Sequence, residues 1–237
     1  MRRRNLRLIC FDLDNTLYDY GMAEAEAEAH IAGIIAKSIG LKPLEVLDAL
    51  NSVKGIHMHR DAEPGKYSRR LWMEETAGRL RLKGGIQSAM LEKEYWGFLA
   101  PRVMMFPNTI RTLKDLRDMG FKLACLTDSD GGKGMKLGRI TDMGLDIYFD
   151  YIIITDETGK NKPAIENWEY LLKISGLKGE ECMMVGDHPD VDLVSAKKLG
   201  LITIWTKEHI RTDIHFRYVD HEITDIGDLI AVVGEYK

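Results

Sequence analysis

Cysteine is scarce in this chain, with three in 237 residues: Cys10, Cys125 and Cys182. Each lies within an apolar, strand-like run, and their spacing fits no metal motif or disulfide framework. Buried free thiols in a reducing, cytoplasmic setting are therefore expected. Long apolar runs are also missing, and no stretch approaches the roughly twenty apolar residues of a membrane span. The start Met1-Arg2-Arg3-Arg4 carries the charge of a signal peptide. The apolar run behind it is only about six residues, shorter than a secretory core, and is broken by Asp12. It reads as a solvated lead-in to a first strand. A basic excess is absent too: 33 Lys and Arg face 37 Asp and Glu, for a formal net charge of −4. That balance lacks the usual footprint of a nucleic-acid partner. The chain shows no repeats and no low-complexity tract. Its 45% hydrophobic content is that of a globular protein able to bury a sizeable core.

What is present begins with a short apolar segment, residues 6–11, that reads as a buried strand. Further strands are predicted at 121–126, 151–154, 182–185 and 201–205, with helices at 132–143, 164–175 and 191–199 between them. This alternation predicts an α/β fold, a doubly wound, Rossmann-like parallel sheet with helices on both faces. Gly120, Gly176 and Gly200 each follow a helical segment, where a left-handed cap is wanted. Residues 17 to about 100 differ: strand signals are nearly absent, and helices are drawn at about 20–38, 43–53, 66–82 and 86–99. The alternating Ala and Glu of 22–30 mimic a strand period, but both residues favour helix. Glu24 and Glu28 would then share one solvated face. The division expected is a core of residues 1–17 and 101–237 interrupted by a helical insertion, 18–100.

The first strand delivers Asp12 and Asp14, two residues apart, to its C-terminal end, where open α/β sheets bind ligands. Two carboxylates held that close need a cation or a proton between them. They point to a metal site, an acid/base pair, or both. Three more polar clusters stand at or just beyond predicted strand ends: Thr127-Asp128-Ser129-Asp130, Lys160-Asn161-Lys162-Pro163, and Gly186-Asp187-His188-Pro189-Asp190-Val191-Asp192. This inventory suits phosphoryl transfer. A carboxylate approaching a phosphate dianion meets repulsion of roughly 4 kcal/mol per close charge pair at an effective dielectric near 20. A lysine and a divalent cation would offset it, and an all-oxygen ligand set favours Mg²⁺.

In order and context the four clusters resemble the motifs of the haloacid dehalogenase-like hydrolase superfamily. The resemblance covers roughly 6–18 and 105–206, and the helical insertion is similar to that family's cap domain. It implies that Asp12 is a nucleophile forming an aspartyl-phosphate. Asp14 would protonate the leaving alcohol and then activate water. Thr127 and the backbone N–H of Asp128 would hold phosphoryl oxygens, and Lys162 would neutralise charge. Mg²⁺ would bind Asp12, the Asp14 carbonyl and Asp187, with Asp192 holding the metal shell in place. The implied activity is hydrolysis of a small organic phosphate monoester. A phosphomutase shares every core residue. A 2-haloacid dehalogenase is disfavoured because it lacks the second aspartate. Non-enzyme alternatives are a phospho-acceptor signalling receiver, which would be about half this length, and a silent binding protein, which would lose Asp12, Asp14 or Lys162.

Two positions depart from the family pattern. Thr127-Asp128-Ser129 stands where relatives often have Thr-Asn-Gly, adding negative charge near the phosphate. Two lysines compete for the third motif, and Lys162 is chosen over Lys160 because it precedes a proline. His188 is read as a loop residue, and His57 with His59 as neutral surface. Lys66, Arg69 and Arg70 would form a solvated face, unless they reach the far end of a substrate. Trp72, Trp96 and Phe98 are assigned to the core of the insertion. Nothing in the sequence specifies an oligomeric state.

Overall fold

The computed structural model describes residues 5–59, 65–82 and 87–236, so the Met1–Arg4 lead-in lies outside the described residues. Strand β1 (Leu8–Phe11) is buried throughout. Ile9 and Phe11 enter one apolar cluster, while Leu8 and Cys10 enter another on the opposite side, as the two-residue period of a strand requires. Both faces are therefore covered, which is why the strand reads as an unbroken apolar run.

From β1 the chain passes through β2 (Tyr18–Asp19) into four helices: α1 (Gly21–Ile39), α2 (Pro43–Met58), α3 (Arg69–Arg79) and α4 (Ser88–Leu99). It returns through β3 (Met104–Met105), which pairs antiparallel with β2. The entry and exit of the helical insertion are thus hydrogen-bonded side by side. There follow α5 (Thr109–Asp118), β4 (Lys122–Thr127), α6 (Met135–Asp142), β5 (Tyr151–Ile154), α7 (Glu166–Ser175), β6 (Cys182–Gly186), α8 (Val194–Lys198), β7 (Ile202–Thr206), β8 (His221–Ile223) and α9 (Leu229–Gly234).

Six strands form one sheet in the order β5-β4-β1-β6-β7-β8, and every pairing is parallel. Leu113 and Leu116 of α5 and Leu229 and Val233 of α9 cover one face. Trp168 and Leu171 of α7 and Ala196 of α8 cover the other. The fold is the doubly wound α/β arrangement expected. Because β1 lies between β4 and β6, the crossovers leave it in opposite directions, and a crevice opens at its carboxyl end. Gly120, Gly176 and Gly200 all take positive φ (90°, 68° and 86°), as their positions after helices demanded. All three cysteines are buried and unpaired.

The structure corrects the sequence reading in several places. β2, β3 and β8, of two or three residues each, are too short to show a period and were not anticipated. Helix α2 runs to Met58 rather than 53, and α3 is shorter than the 66–82 drawn for it. Residue 86, the first of the fourth helix drawn, lies outside the described residues. The segment 191–199 is split into a π-helical turn, Pro189–Leu193, and the short α8. Glu24 and Glu28 do not face solvent: Lys54 Nζ donates to both at 2.7 Å, and Glu28 is only 5% exposed. His57 is buried, with Nε2 3.0 Å from the Glu75 carboxylate, whereas His59 is exposed. Lys66 and Arg69 are buried and only Arg70 is exposed. A residue's own type said solvent in these cases, but charged partners on neighbouring helices made burial of Glu24, Glu28, His57 and Arg69 tolerable, while the Lys66 ammonium lies 5.5 Å from the Tyr67 ring centroid. Trp72 is buried in the insertion, and Trp96 and Phe98 pack against the main cluster.

Candidate active site

At the carboxyl end of β1, Asp12 keeps the parallel register by donating its N–H to the Val185 carbonyl at 2.9 Å. The residue is 5% exposed. Lys162, carried by the loop that precedes α7, inserts its ammonium between two carboxylates. Nζ donates to Asp12 Oδ1 at 2.5 Å and to Asp192 Oδ1 at 2.7 Å. Lys160, the competing lysine, is half exposed and pairs with Glu166 instead. Asp192 sits on the π-helical turn after β6, and its Oδ2 accepts the His188 N–H at 3.0 Å. This close packing needs Gly186: a Cβ there would come within 2.5 Å of the Asp192 carboxylate. Asp187 follows on the same loop, which Trp205 fixes by donating Nε1–H to the Asp187 carbonyl at 2.8 Å. The Thr16 hydroxyl lies 3.2 Å from Asp12 Oδ2 and 3.5 Å from Asp187 Oδ1. Thr16 had no role assigned from sequence, although it stands two residues beyond Asp14.

One carboxylate oxygen from each of Asp12, Asp187 and Asp192 falls within a 4.8 Å group. The electrostatic consequence is plain. Burial, then the opposing Lys162, then Asp192 and Asp14 set the Asp12 carboxyl, which is pushed up to about 7. Burial and the same neighbouring carboxylates raise Asp187 well above the usual carboxylate range. A hard divalent cation suits such a set, supplying the charge that one ammonium cannot. Lys162 itself is held protonated: burial disfavours its charge, but Asp12 and Asp192 outweigh burial.

Asp14 has a different environment. Lys136 Nζ donates to its Oδ2 at 2.7 Å, and Arg139 Nη1 to its Oδ1 at 2.6 Å. The Tyr18 hydroxyl donates to Oδ1 at 2.6 Å. Burial would raise this carboxyl, but Arg139 and Lys136 prevail and hold it well below the usual range. Both cations also bind Asp130. Sequence reasoning missed them. The only signal was a Lys and an Arg three residues apart, on one face of the helix after the second cluster.

Thr127 ends β4 and is buried beside the crevice. Asp128 Oδ1 accepts the Lys162 backbone N–H at 2.8 Å, and its carboxylate also accepts from the Tyr67 hydroxyl of the insertion. The unusual acid of the second cluster therefore ties the third cluster and the insertion to the strand end. Gly131 completes that junction. Its φ is 87°, and a Cβ would meet the Ser68 Cα at 2.4 Å. All seven residues singled out from sequence (Asp12, Asp14, Thr127, Asp128, Lys162, Asp187 and Asp192) line one cavity of about 190 Å³. His188 lines it as well. The insertion supplies the remaining wall, including Tyr20, Glu24, Lys54, Tyr67, Arg69 and Trp72.

A six-stranded parallel sheet with this polar crevice is matched by a family model. Residues 6–200 fit that of the haloacid dehalogenase-like hydrolases, and the chain belongs to this family. Among curated proteins it is similar to a glyceraldehyde 3-phosphate phosphatase of Methanocaldococcus jannaschii, 30% identical over 240 residues and covering 97% of each chain. Among solved structures it is similar to a HAD phosphatase of Thermococcus onnurineus (TM-score 0.77, 22% identity, 97% of this chain and 99% of that one). A HAD-hydrolase of Bacillus subtilis, YfnB, solved bound to magnesium, is also similar (TM-score 0.74, 22% identity, 97% and 99%). Among the described residues no helix is long and apolar enough to cross a membrane.

Proposed function

We propose that this chain is a Mg²⁺-dependent phosphatase that hydrolyses a small organic phosphate monoester through an aspartyl-phosphate on Asp12. The observation that carries this reading is the group of three carboxylates, Asp12, Asp187 and Asp192, around the single ammonium of Lys162. The phosphatase relative in Methanocaldococcus jannaschii supports it.

In the first half-reaction an Asp12 carboxylate oxygen bonds to phosphorus, and the phosphorus–oxygen bond to the substrate alcohol breaks. Asp14, ionised in the free site, would relay to the leaving alkoxide a proton taken from the P–OH of a monoanionic substrate. In the second half, water attacks the same phosphorus, its proton passes to Asp14, and Asp12 is released as carboxylate. Arg139 and Lys136 favour the ionised form of Asp14, the form that accepts this proton. At the end of β4 the Thr127 hydroxyl and the Asp128 N–H would hold phosphoryl oxygens. Lys162 offsets the repulsion between Asp12 and the phosphate. Mg²⁺, held by Asp12, Asp187 and the Asp14 carbonyl with Asp192 behind them, would neutralise phosphoryl charge in both steps. The helical insertion, 18–100, acts as a cap that encloses the substrate. Three buried, unpaired thiols fit a cytoplasmic setting.

Turnover of p-nitrophenyl phosphate tests the reading. Activity should vanish in EDTA and return with Mg²⁺, and Asp12→Asn should lose about 10³-fold or more. Undiminished activity in that variant removes the nucleophile, and undiminished activity in EDTA removes the metal.

A further inference from the structure

The cavity has two ends of different electrical character. Its walls hold four cations, Lys54, Arg69, Lys136 and Lys162, against seven carboxylates. None of the four is uncommitted. Lys162 binds Asp12 and Asp192, and Lys136 binds Asp14 and Asp130. Lys54 donates to Glu24 and Glu28. Arg69 donates to Glu24 Oε1 at 2.6 Å, to the Tyr20 hydroxyl and the Tyr67 carbonyl at 2.7 Å, and to the Tyr95 hydroxyl at 3.3 Å. Its guanidinium also rests 4.3 Å from the Trp72 ring centroid. The cap end therefore pairs two cations with two carboxylates and is neutral as a unit.

Resting on the phosphatase reading, we propose that the substrate carries its phosphate as its only anionic group. Its far end bears hydroxyl or carbonyl oxygens, and Glu24, with Lys54 and Arg69, enforces this. A second phosphate or a carboxylate at the cap end would meet no free cation among the residues lining the cavity and would have to displace Glu24 from both partners. An uncharged hydroxyl or carbonyl needs only hydrogen bonds, which Lys54 and the tyrosine hydroxyls at that end provide.

A matched pair of probes isolates the charge: glyceraldehyde 3-phosphate and 3-phosphoglycerate share a skeleton and differ in aldehyde against carboxylate. The wild type should favour the aldehyde at least tenfold in kcat/KM. Glu24→Gln removes one negative charge beside Lys54 and Arg69. It should improve the carboxylate substrate relative to the aldehyde, narrowing the ratio several-fold, mostly through KM. Lys54→Met should widen it. A merely structural role would depress both substrates alike and leave the ratio where it was, which overturns the proposal. Equal or better turnover of 3-phosphoglycerate by the wild type also overturns it, while p-nitrophenyl phosphate turnover keeps the phosphatase reading intact. Failure on every phosphate ester removes that reading and this inference together.

Discussion

Two aspartates stand two residues apart at one strand end, yet the surroundings of Asp12 and Asp14 pull them in opposite directions. Asp12 shares a single ammonium with Asp192 and lies close to Asp187, so its carboxyl is driven up to about 7. Asp14 shares two cations, Lys136 and Arg139, with Asp130 alone, and its carboxyl is driven down. Burial acts on both and cannot explain the difference. The ratio of cations to carboxylates within hydrogen-bond reach does. One region is short of positive charge and suited to take up a divalent cation and a phosphate. The other is already balanced, so it orients Asp14 and keeps it ionised, ready to accept a proton. Strain of the first kind is expected where chemistry is done, because an arrangement optimised for stability alone would not leave it.

The largest effect should come from making the deficit worse. Lys162→Met leaves Asp12 and Asp192 without their buried counter-charge, and breaking such a pair costs about 3–5 kcal/mol. Urea unfolding should show that loss in midpoint, and phosphatase activity should disappear with it. Lys160→Met, two residues away on an exposed pair, should stay within about 0.5 kcal/mol of wild type. Equal losses in the two variants would mean that the third cluster uses Lys160, and the contrast drawn here would fail.

A smaller effect of opposite sign separates the aspartates themselves. In EDTA, Asp12→Asn removes one of the crowded carboxylates while Lys162 keeps Asp192. Its stability should equal or exceed that of wild type even though activity is gone. Asp14→Asn instead strips charge-assisted bonds from Lys136 and Arg139 and should cost about 2 kcal/mol. Comparing the two unfolding midpoints checks the argument. Destabilisation of both by the same amount would show that the environments are not electrically distinct.

How much of this could be read in advance follows from how far apart the partners lie in sequence. The placement of Asp12, Thr127 and Asp187 at strand ends was legible because each follows directly on a short apolar run. Only a parallel sheet gathers such ends along one edge. Gly186 and Asp192 were legible as a spacing, although not the reason the glycine is there, which is a contact with that very carboxylate. The Lys136 and Arg139 pairing with Asp14 was illegible. It joins residues more than 120 positions apart, and a basic residue on a helix gives no sign of which acid it will meet. The helical insertion was hardest for the same reason. Glu24, Glu28 and Arg69 each looked like solvent-facing charge, and Lys54 had been given no role. Only their convergence from three helices makes their burial tolerable and gives the cavity a neutral end.

The smallest expected effect tests the balanced region by pH. Asp130 is buried, which would raise its carboxyl, but Arg139 and Lys136 outweigh burial and hold it below the usual value of 3.8. A carboxyl lowered by folding binds fewer protons in the folded than in the unfolded state. The stability it contributes is therefore fully present above about pH 4 and fades as pH falls through the lowered value. Asp130→Asn cannot titrate. It should be less stable than wild type near neutral pH by about 1–2 kcal/mol, the worth of a charge-assisted bond. That deficit should shrink as the pH is taken from 5 toward 2, so the two unfolding curves converge in acid. A deficit that stayed constant with pH would assign the loss to packing rather than charge. In that case Asp14 would owe its low carboxyl to something other than the cation pair it shares with Asp130.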